Sequence, residues 1–417
     1  MITAVPEGNL TTDEFIKEVG LYVRENVNLS ELSDDELYSS IQKIVVHKTE
    51  NTMFSIDDKV DITENVYSSI RGLGILDIIM KDDSITEIMI NGHKKIWIEK
   101  NGVIKKLDNS FESEKHLEDT IQRIVSSAGR EVNQSNPIVD TRLPDGSRVN
   151  VVLPPVSLDG PIVTIRKFSR TPMTMEQLIA NGSINEAAAD MLKLLVKAKY
   201  NIFISGGTGS GKTTFLNALS DYIPEGERVI TIEDSAELQI NKIKNLVRLE
   251  TRNANTSGSG EIPIRELIRS SLRMRPERII VGEVRGAEAL DMLSAMNTGH
   301  DGSLSTGHAN TASDMLFRLE TMVLSGSDLP LAAVRNQIAS AVDIVVHLSR
   351  MRDHTRKVTE ITQITGIENG EIQTSPLYVF EETEESTGDK VCGELKRTKN
   401  KLFSDIKLHR SGIKIVL

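Results

Sequence analysis

Apolar residues recur every three or four positions over two stretches near the beginning of the chain. The segments EFIKEVGLYVRENV and DDELYSSIQKIVVHKT show this spacing, which is typical of amphipathic helices. Ser33 and Asp34 stand at the start of the second stretch, where the side chain of an N-cap residue is expected. The spacing therefore predicts a helical module over residues 1–70.

The apolar pattern changes to short strands after residue 70. Two apolar runs, at 89–90 and 96–98, are each followed by an Asn-Gly pair, which is a strong hairpin signal. HLEDTIQRIVSSAG then predicts a helix, and RLPDGSRVNVVLPP and PIVTIRKF predict two more strands around a Pro-Asp-Gly turn. We predict a small α/β domain over 71–168 and, over 169–185, a linker that contains a short helix.

Strands and helices alternate from about residue 186 onwards. A helix in NEAAADMLKLLVKAK leads into the strand NIFIS, a glycine-rich loop and another helix. Further strand-like runs follow, with helical stretches between several of them, at 229–232, 246–249, 279–281 and 344–348. Such alternation predicts a mostly parallel sheet that is covered on both faces. We assign residues 186–380 to this second α/β domain and 381–417 to a charged tail.

The composition restricts where the chain works. Its single cysteine, Cys392, rules out an intrachain disulfide and a cysteine-based zinc site, and suits a reducing compartment. The first residues have neither the basic region nor the apolar core of a signal peptide. Because no run of 18 apolar residues occurs, we expect no transmembrane span and a cytoplasmic location.

The acidic charge is concentrated in the predicted helical module. The whole chain has a net charge of −11, and residues 1–70, with 14 acidic and 5 basic residues, account for −9 of it. An acidic chain is a poor candidate for binding nucleic acid, because that affinity comes from clustered Lys and Arg. The module has two possible interpretations, a solvated acidic face and a docking surface for a basic partner.

Residues 206–213, GGTGSGKT, match the phosphate-loop pattern G-x-x-x-x-G-K-[ST] between a strand and a helix. Glycines let successive N–H groups point at phosphate oxygens, and the helix N-terminus adds a positive dipole end. Lys212 is predicted to reach the β- and γ-phosphates of ATP, and the Thr213 hydroxyl to bind Mg²⁺. The predicted nucleotide-binding residues are Gly207, Thr208, Gly209, Ser210, Gly211, Lys212, Thr213 and Thr214.

The strand RIIVGE ends in a carboxylate and has the shape of a Walker B element. Gly282 occupies the position where an aspartate is usual, which leaves Glu283 at the strand end. We predict that Glu283 polarises the attacking water and that the small Gly282 leaves room for that water. The alternative is that Glu283 caps the helix that follows.

A second strand, in TIEDSAEL, also ends in carboxylates, about 20 residues after the phosphate loop. Ligands of α/β proteins bind at such strand ends, so we predict that Glu233 helps to hold Mg²⁺ and water. The alternative is that Asp234 or Ser235 is a helix N-cap.

The polar segment GHDGSLSTGHANT contains two histidines within nine residues. A histidine in such a segment is able to donate to a γ-phosphate oxygen and to report its loss. We favour His308 over His300 because it lies closer to the following helix. A zinc site is disfavoured, since no cysteine accompanies the histidines.

The order of these four segments resembles the ATPases of type II and type IV secretion, which carry a Walker A, an Asp box, a Walker B with Gly-Glu and a His box. Other segments are similar to the CpaF/TadA-type branch, the ATPases of tight-adherence (Tad, Flp-type) pili. They are NGHKKIWIEKNG, RLPDGSRVNVVLPP, TIRKF and SAVDIVVHLSRMRDHTRKVTEI, and the resemblance covers roughly residues 71–365.

The resemblance implies a RecA-like P-loop ATPase domain, preceded by a small α/β domain, in a homohexameric ring. It implies a motor that uses ATP and Mg²⁺ to drive pilus assembly through a polytopic inner-membrane platform protein, from the inner face of the cytoplasmic membrane. Whether such a motor also retracts a filament is left open. The resemblance further implies that arginines of the N-terminal domain approach the phosphates, which assigns Arg148 and Arg166 to this role, with Arg142 as a third candidate.

Other functions stay open. A type IV secretion or conjugation ATPase is one alternative, because such ATPases share much of the resemblance. A RecA-like motor that depends on nucleic acid is another, and the arginines of residues 265–285 favour it. Residues 201–350 nevertheless contain 15 basic and 18 acidic residues, so we expect no direct contact with nucleic acid. A nucleotide switch without hydrolysis and a small-molecule kinase with an arginine-rich lid are the remaining alternatives.

Overall fold

The chain forms two compact units, residues 1–170 and residues 171–417. The computed structural model describes residues 12–28, 32–50, 54–168, 172–252 and 259–413. The first 11 residues of the predicted helical module and the first three of the predicted linker, 169–171, therefore lie outside the described residues, as do the last four residues of the tail.

Unit 1 begins with the three helices α1 (Thr12–Asn26), α2 (Asp34–Lys48) and α3 (Ile56–Ile70). Their apolar faces pack together around a small core that includes Phe15, Leu37 and Ile62. The predicted cap at Ser33 is confirmed, because its side chain accepts from the backbone of Glu36 and the Glu36 carboxylate bonds back to Ser33. The acidic segment is therefore a folded three-helix module.

The rest of unit 1 is an antiparallel sheet with two helices. Its elements are α4 (Ile75–Lys81), β1 (Ile85–Asn91), β2 (Ile96–Lys100), β3 (Val103–Lys106), α5 (Glu114–Ser127), β4 (Ile138–Arg142), β5 (Arg148–Val152) and β6 (Ile162–Arg166). The strand order is β3-β2-β1-β6-β5-β4. Ile90 lies opposite Ile96, which confirms the predicted hairpin.

Unit 2 contains seventeen elements within its described residues, and they alternate as predicted. They are α6 (Met175–Ala180), α7 (Glu186–Lys197), β7 (Ile202–Gly206), α8 (Lys212–Ser220), β8 (Arg228–Glu233), β9 (Asn245–Glu250), α9 (Ile264–Ser271), β10 (Arg278–Val281), α10 (Glu288–Asn297), β11 (Leu304–His308), α11 (Ala312–Ser325), α12 (Leu331–Ala341), β12 (Ile344–Arg350), β13 (Arg356–Glu368), β14 (Glu371–Glu382), β15 (Gly393–Arg397) and α13 (Ile406–Arg410). Throughout the described ranges, no helix has the length and apolar content that a membrane crossing requires.

The sheet of unit 2 has the order β15-β14-β13-β12-β7-β11-β10-β8-β9. The six strands from β12 to β9 are parallel, which confirms the predicted α/β class. Successive residues of β7 enter opposite cores, since Ile202 and Ile204 pack with α7 and α8, whereas Phe203 packs with α10 and α11. The carboxyl ends of β7, β8, β10 and β11 consequently meet at one edge.

Three antiparallel strands extend this sheet at the β12 side. Strands β13 and β14 are long and pair with each other, and β15 pairs with β14. The sequence identified no element in the tail, yet the tail contributes β15 and α13 to unit 2. Leu395 and Leu408 are buried in the same core as α7 and α8.

A buried ion pair lies at the amino-terminal ends of the central strands β8 and β10. Arg278, at the start of β10, is 0% exposed, and its Nε donates to Glu227 Oε2 over 2.5 Å. The same guanidinium donates to the Val196 carbonyl at the end of α7. Since a buried guanidinium needs both a counter-ion and hydrogen-bond acceptors, this contact holds the end of α7 against the starts of β8 and β10.

We expect Glu227→Ala to destabilise unit 2 by about 3–5 kcal/mol, because it leaves the Arg278 charge buried without its carboxylate. Scanning calorimetry of the full chain measures the change as a lower transition temperature for unit 2. Glu225→Ala, an exposed substitution two residues away, is the matched control. An equally small decrease in the transition temperature of both variants contradicts the prediction.

Candidate active site

The phosphate loop, residues 206–213, connects β7 to α8 along a path that requires glycine. Gly209 and Gly211 have φ angles of 71° and 92°, in the left-handed region. A Cβ on Gly206 would lie 2.3 Å from the carbonyl oxygen of Leu348 on the neighbouring strand β12. The loop therefore curls as a phosphate cradle does, and α8 begins directly behind it.

Lys212 is largely buried, and its ammonium group is hydrogen-bonded to this loop. Its Nζ donates to the carbonyls of Gly206 (3.1 Å) and Gly207 (3.0 Å). It also lies 3.3 Å from Nδ1 of His308, at the end of the adjacent strand β11. The structure thus brings together the predicted phosphate-binding lysine and the favoured histidine.

Glu283, just after β10, continues this chain of contacts. Its Oε1 lies 2.8 Å from His308 Nε2, and its Oε2 accepts a 2.7 Å hydrogen bond from Arg285 Nη2. Burial acts to raise the pKa of Glu283, but Arg285, His308 and Lys212 outweigh it and hold that pKa below its usual range. Glu283 is therefore a carboxylate at neutral pH. Arg285 follows Glu283 by two positions, and the sequence alone placed it only in the arginine cluster of residues 265–285.

The two oxygens of Glu233 have different surroundings. Oε1 accepts hydrogen bonds of 2.9 Å from the backbone N–H groups of Glu237 and Leu238, which holds the turn after β8. Oε2 is buried and has no hydrogen-bond partner among the described residues, and burial raises the pKa of this carboxyl. No helix follows directly, so the alternative of a helix N-cap at Asp234 or Ser235 is wrong.

Gly282 is packed against the Glu233 side chain. A Cβ at this position would lie 2.9 Å from Cγ of Glu233, on the adjacent strand β8. The glycine therefore makes room for the Glu233 side chain, and the space for an attacking water stays a prediction.

The turn before α10 does not use Glu283 as its cap. The carboxylate of Glu288 accepts from the backbone N–H groups of Arg285 and Gly286 instead. The alternative of Glu283 as a helix cap is therefore wrong, and its carboxylate lies with His308 and Arg285.

The two predicted histidines occupy different places. His300 lies before β11, with Nδ1 3.3 Å from the carbonyl of Ala295 in α10, whereas His308 lies between Lys212 and Glu283. Burial and the Lys212 charge lower the pKa of His308, so its ring is neutral at pH 7. Because Lys212 is a donor, Nδ1 of the neutral ring must be the acceptor, which leaves the proton on Nε2, facing Glu283.

A buried histidine that the sequence analysis missed lies behind the phosphate loop. His347, on β12, has Nδ1 2.8 Å from Oγ of Ser205, and its ring is also hydrogen-bonded to the backbone of Asn310. It thereby joins the end of β7 to the segment after His308. His347 lies inside a continuous apolar run, so no motif distinguished it.

Most of the arginines between residues 265 and 285 form ion pairs within unit 2. Four of the six are paired with carboxylates of the same unit: Arg265 and Arg269 with Asp291, Arg278 with Glu227, and Arg285 with Glu283. This pairing weakens the argument for an arginine-rich lid or a nucleic-acid groove.

The three arginines assigned by resemblance lie in unit 1, in one row across its sheet. Arg142 is directly opposite Arg148, and Arg148 is directly opposite Arg166. Alternation along β5 places Val149 and Val151 in the core, so the row lies on the other face. The row continues on β1 with Glu87, which is directly opposite Arg166, so a carboxylate stands beside the three arginines.

The donor set of unit 2 fits a magnesium–nucleotide complex. Ser210 Oγ and Glu233 Oε2 are buried, and neither has a hydrogen-bond partner among the described residues. A buried oxygen without a partner costs about 1–3 kcal/mol, so these two atoms call for a further ligand. A cleft of about 450 Å³ opens at the phosphate loop and His308, lined by residues that include Gly207 and Arg318.

The family model described as "Type II/IV secretion system protein" matches residues 71–400. A putative conjugal transfer protein of Mycobacterium tuberculosis is 35% identical over 317 residues, which are 75% of this chain and 89% of that protein. The probable conjugal transfer protein TrbB of Sinorhizobium fredii is 35% identical over 315 residues, which are 74% and 92% of the two chains. The crystal structure of the pilus retraction motor PilT with bound ADP superposes with a TM-score of 0.50 at 19% identity, covering 81% of this chain and 87% of that one, which shows the shared fold.

We expect Glu283→Gln to retain ATP binding and to lower kcat by at least about 100-fold, because an amide cannot accept the proton of the attacking water. Steady-state phosphate release and calorimetric titration with ATP measure the two effects separately. Glu266→Gln, an exposed change on α9, is the control. Near-normal turnover of Glu283→Gln would remove this residue from the reaction.

We expect His308 to titrate below its ordinary pKa of about 6.5, and Lys212→Met to raise that pKa, since the ammonium group disfavours the imidazolium form. In the parent chain, His308 therefore becomes protonated only at a pH below the usual pKa range of histidine. NMR titration of the histidine ring signals, assigned with His308→Gln, tests this. Lys242→Met, whose lysine pairs with Asp221, should leave the His308 pKa in place, and the same result for Lys212→Met contradicts the prediction.

Proposed function

The chain belongs to the type II/IV secretion system protein family, and we propose that it is a Mg²⁺-dependent ATP hydrolase that drives a pilus-assembly machine. The observation that carries the proposal is the contact chain from Lys212 through His308 to Glu283 at one edge of the sheet. It joins a phosphate-binding lysine to a carboxylate able to accept a proton, which is what hydrolysis of a phosphoanhydride requires.

The phosphate loop and two further groups form the binding part of the proposed site. The backbone N–H groups of the loop and Lys212 bind the phosphates, and Thr213 and Glu233 Oε2 are the groups suited to hold the metal. Magnesium, when bound, neutralises charge on the phosphate oxygens during transfer. Glu233 Oε1 keeps its two backbone hydrogen bonds, which fix the orientation of the carboxylate.

Glu283 is the proposed general base. Arg285 occupies Oε2 and keeps the group ionised, so Oε1 is the atom that accepts the proton of the attacking water. His308 holds its own proton on Nε2, close to this oxygen, and is the proposed sensor of the γ-phosphate. Lys212 binds the opposite nitrogen of the same ring, so loss of the phosphate changes both contacts.

The arginine row of unit 1 is proposed to supply charge to the transferring phosphoryl group. Arg148 and Arg166 are the assigned residues, and the register adds Arg142 beside them. A guanidinium is planar and permanently charged, and it stabilises the negative charge of a phosphoryl transition state.

We further propose that six copies form a ring, that hydrolysis changes the angle between the two units, and that a polytopic platform protein of the inner membrane receives this motion. The motor would then work at the inner face of that membrane. The sequence resemblance to the Tad branch supports a pilus as the product. The names of the two relatives support a second candidate, an ATPase of conjugal transfer.

The test starts with the purified full-length chain. We expect ATP hydrolysis by a particle of six 46.1-kDa chains, measured by mass photometry and phosphate release. Lys212→Ala should lose nucleotide binding, and unchanged binding in calorimetry would reject the phosphate site. A parent chain that assembles with ATP but never hydrolyses it is a switch, and hydrolysis that depends on an added acceptor indicates a kinase.

Two phenotypes of the host, surface pili and plasmid transfer, distinguish the two candidate machines. A Glu283→Gln chromosomal variant should lack surface pili and transfer plasmids normally if the chain serves a Tad pilus. Loss of plasmid transfer with pili intact favours the conjugal function, as does turnover of the purified protein that DNA stimulates and salt suppresses.

A further inference from the structure

The hairpin of β12 and β13 contacts the phosphate loop from outside the four sequence motifs. Arg356, the first residue of β13, donates from Nε to the carbonyl of Gly209 over 2.8 Å. Its Cδ lies 3.4 Å from the position of a Cβ on Gly211, so the side chain lies along the loop. Arg350, directly opposite Arg356 on β12, has Nη1 3.7 Å from the position of a Cβ on Gly209.

The geometry of a phosphate loop explains why this carbonyl contact matters. N–H groups that converge on an anion leave the carbonyls of the same peptides on the outside of the curl. Lys212 binds the carbonyls of Gly206 and Gly207, and Arg356 binds that of Gly209. A charged donor on the Gly209 carbonyl holds that peptide plane, and with it the direction of the next N–H group.

The tip of the hairpin is itself anchored to the C-terminal part of the unit. Arg352 forms a bidentate pair with Glu382, at 2.9 and 2.8 Å, and donates from Nε to the carbonyl of Thr387. Asp353 accepts from the backbone N–H of Val391 over 2.8 Å. Both ends of the connection between β14 and β15 therefore hold the turn that leads into Arg356.

We propose that Arg356 is a positioning residue for nucleotide binding, and that the Arg352–Glu382 pair keeps it in place from the far side of the hairpin. The proposal rests on the proposed function of the phosphate loop. The pair connects the strands β13 to β15 to the phosphate loop. A substitution at Glu382 alters the hairpin turn that precedes Arg356, and Arg356 contacts the loop. Its probe is a fluorescent ADP analogue (mant-ADP) with Mg²⁺, which needs no γ-phosphate group.

In the full-length chain, Arg356→Gln should raise the Kd for Mg²⁺–mant-ADP about five-fold, the equivalent of one hydrogen bond, with a smaller effect on turnover at saturating ATP. Arg356→Lys, which keeps a charged donor, should recover part of this loss. Equal Kd values for the parent and Arg356→Gln, with equal thermal stability, overturn the proposal. A parent chain that does not bind the probe overturns the proposed function instead.

The role of the Arg352–Glu382 pair is tested by substituting two neighbouring glutamates of β14, Glu382 and Glu381. Glu382→Gln breaks the bidentate pair and should raise the Kd about two- to three-fold, less than the direct change because the hairpin is also held by backbone bonds. Glu381→Gln, on the same strand as Glu382, removes an exposed pair with Lys396 of β15 and should leave the Kd as it is. Equal Kd values for these two variants refute the anchoring role of Glu382.

Discussion

The phosphate loop imposes the constraint on which unit 2 depends, because a backbone that turns its N–H groups toward an anion must bind its carbonyls elsewhere. Lys212 does this on one side of the loop and Arg356 on the other. Gly206 passes so close to Leu348 that no side chain fits between the loop and β12. The loop is consequently built against β11 and β12 together, so the hairpin that follows β12 is part of the site.

A second constraint is the close contact between β8 and β10. Glu233 must be buried next to Gly282 for its Oε1 to hold the turn after β8 and its Oε2 to stay unpartnered. Glu283 shows the same division, since Arg285 binds one oxygen and His308 approaches the other. Each glutamate therefore uses one oxygen to hold its own orientation and keeps the other for chemistry. Two carboxylates on neighbouring strands thereby differ in pKa, one raised by burial and one lowered by cations.

The sequence analysis found the elements whose signals are local. The Ser33 cap, the Asn-Gly hairpin and the strand before the phosphate loop each depend on a few adjacent residues, and the structure has all three. It missed β15 and the helix α13, which have neither apolar periodicity nor turn signals of their own and form because the β14 edge and the core beneath it are available. It did not foresee that Gly282 makes room for Glu233, because that neighbour is 49 positions away in the chain.

The sequence by itself determined the α/β class, the phosphate loop and the residues that end the strands, because spacing and residue type are sufficient for a glycine curl and for a carboxylate at a strand tip. Only the tertiary structure decided which of these residues meet. The parallel register brings His308 between Lys212 and Glu283, and it separates His300 from them by the length of β11. Arg285 and Arg356 acquire partners only when the sheet forms, because a hydrogen bond depends on distance in space and direction, which the order of residues along the chain does not contain.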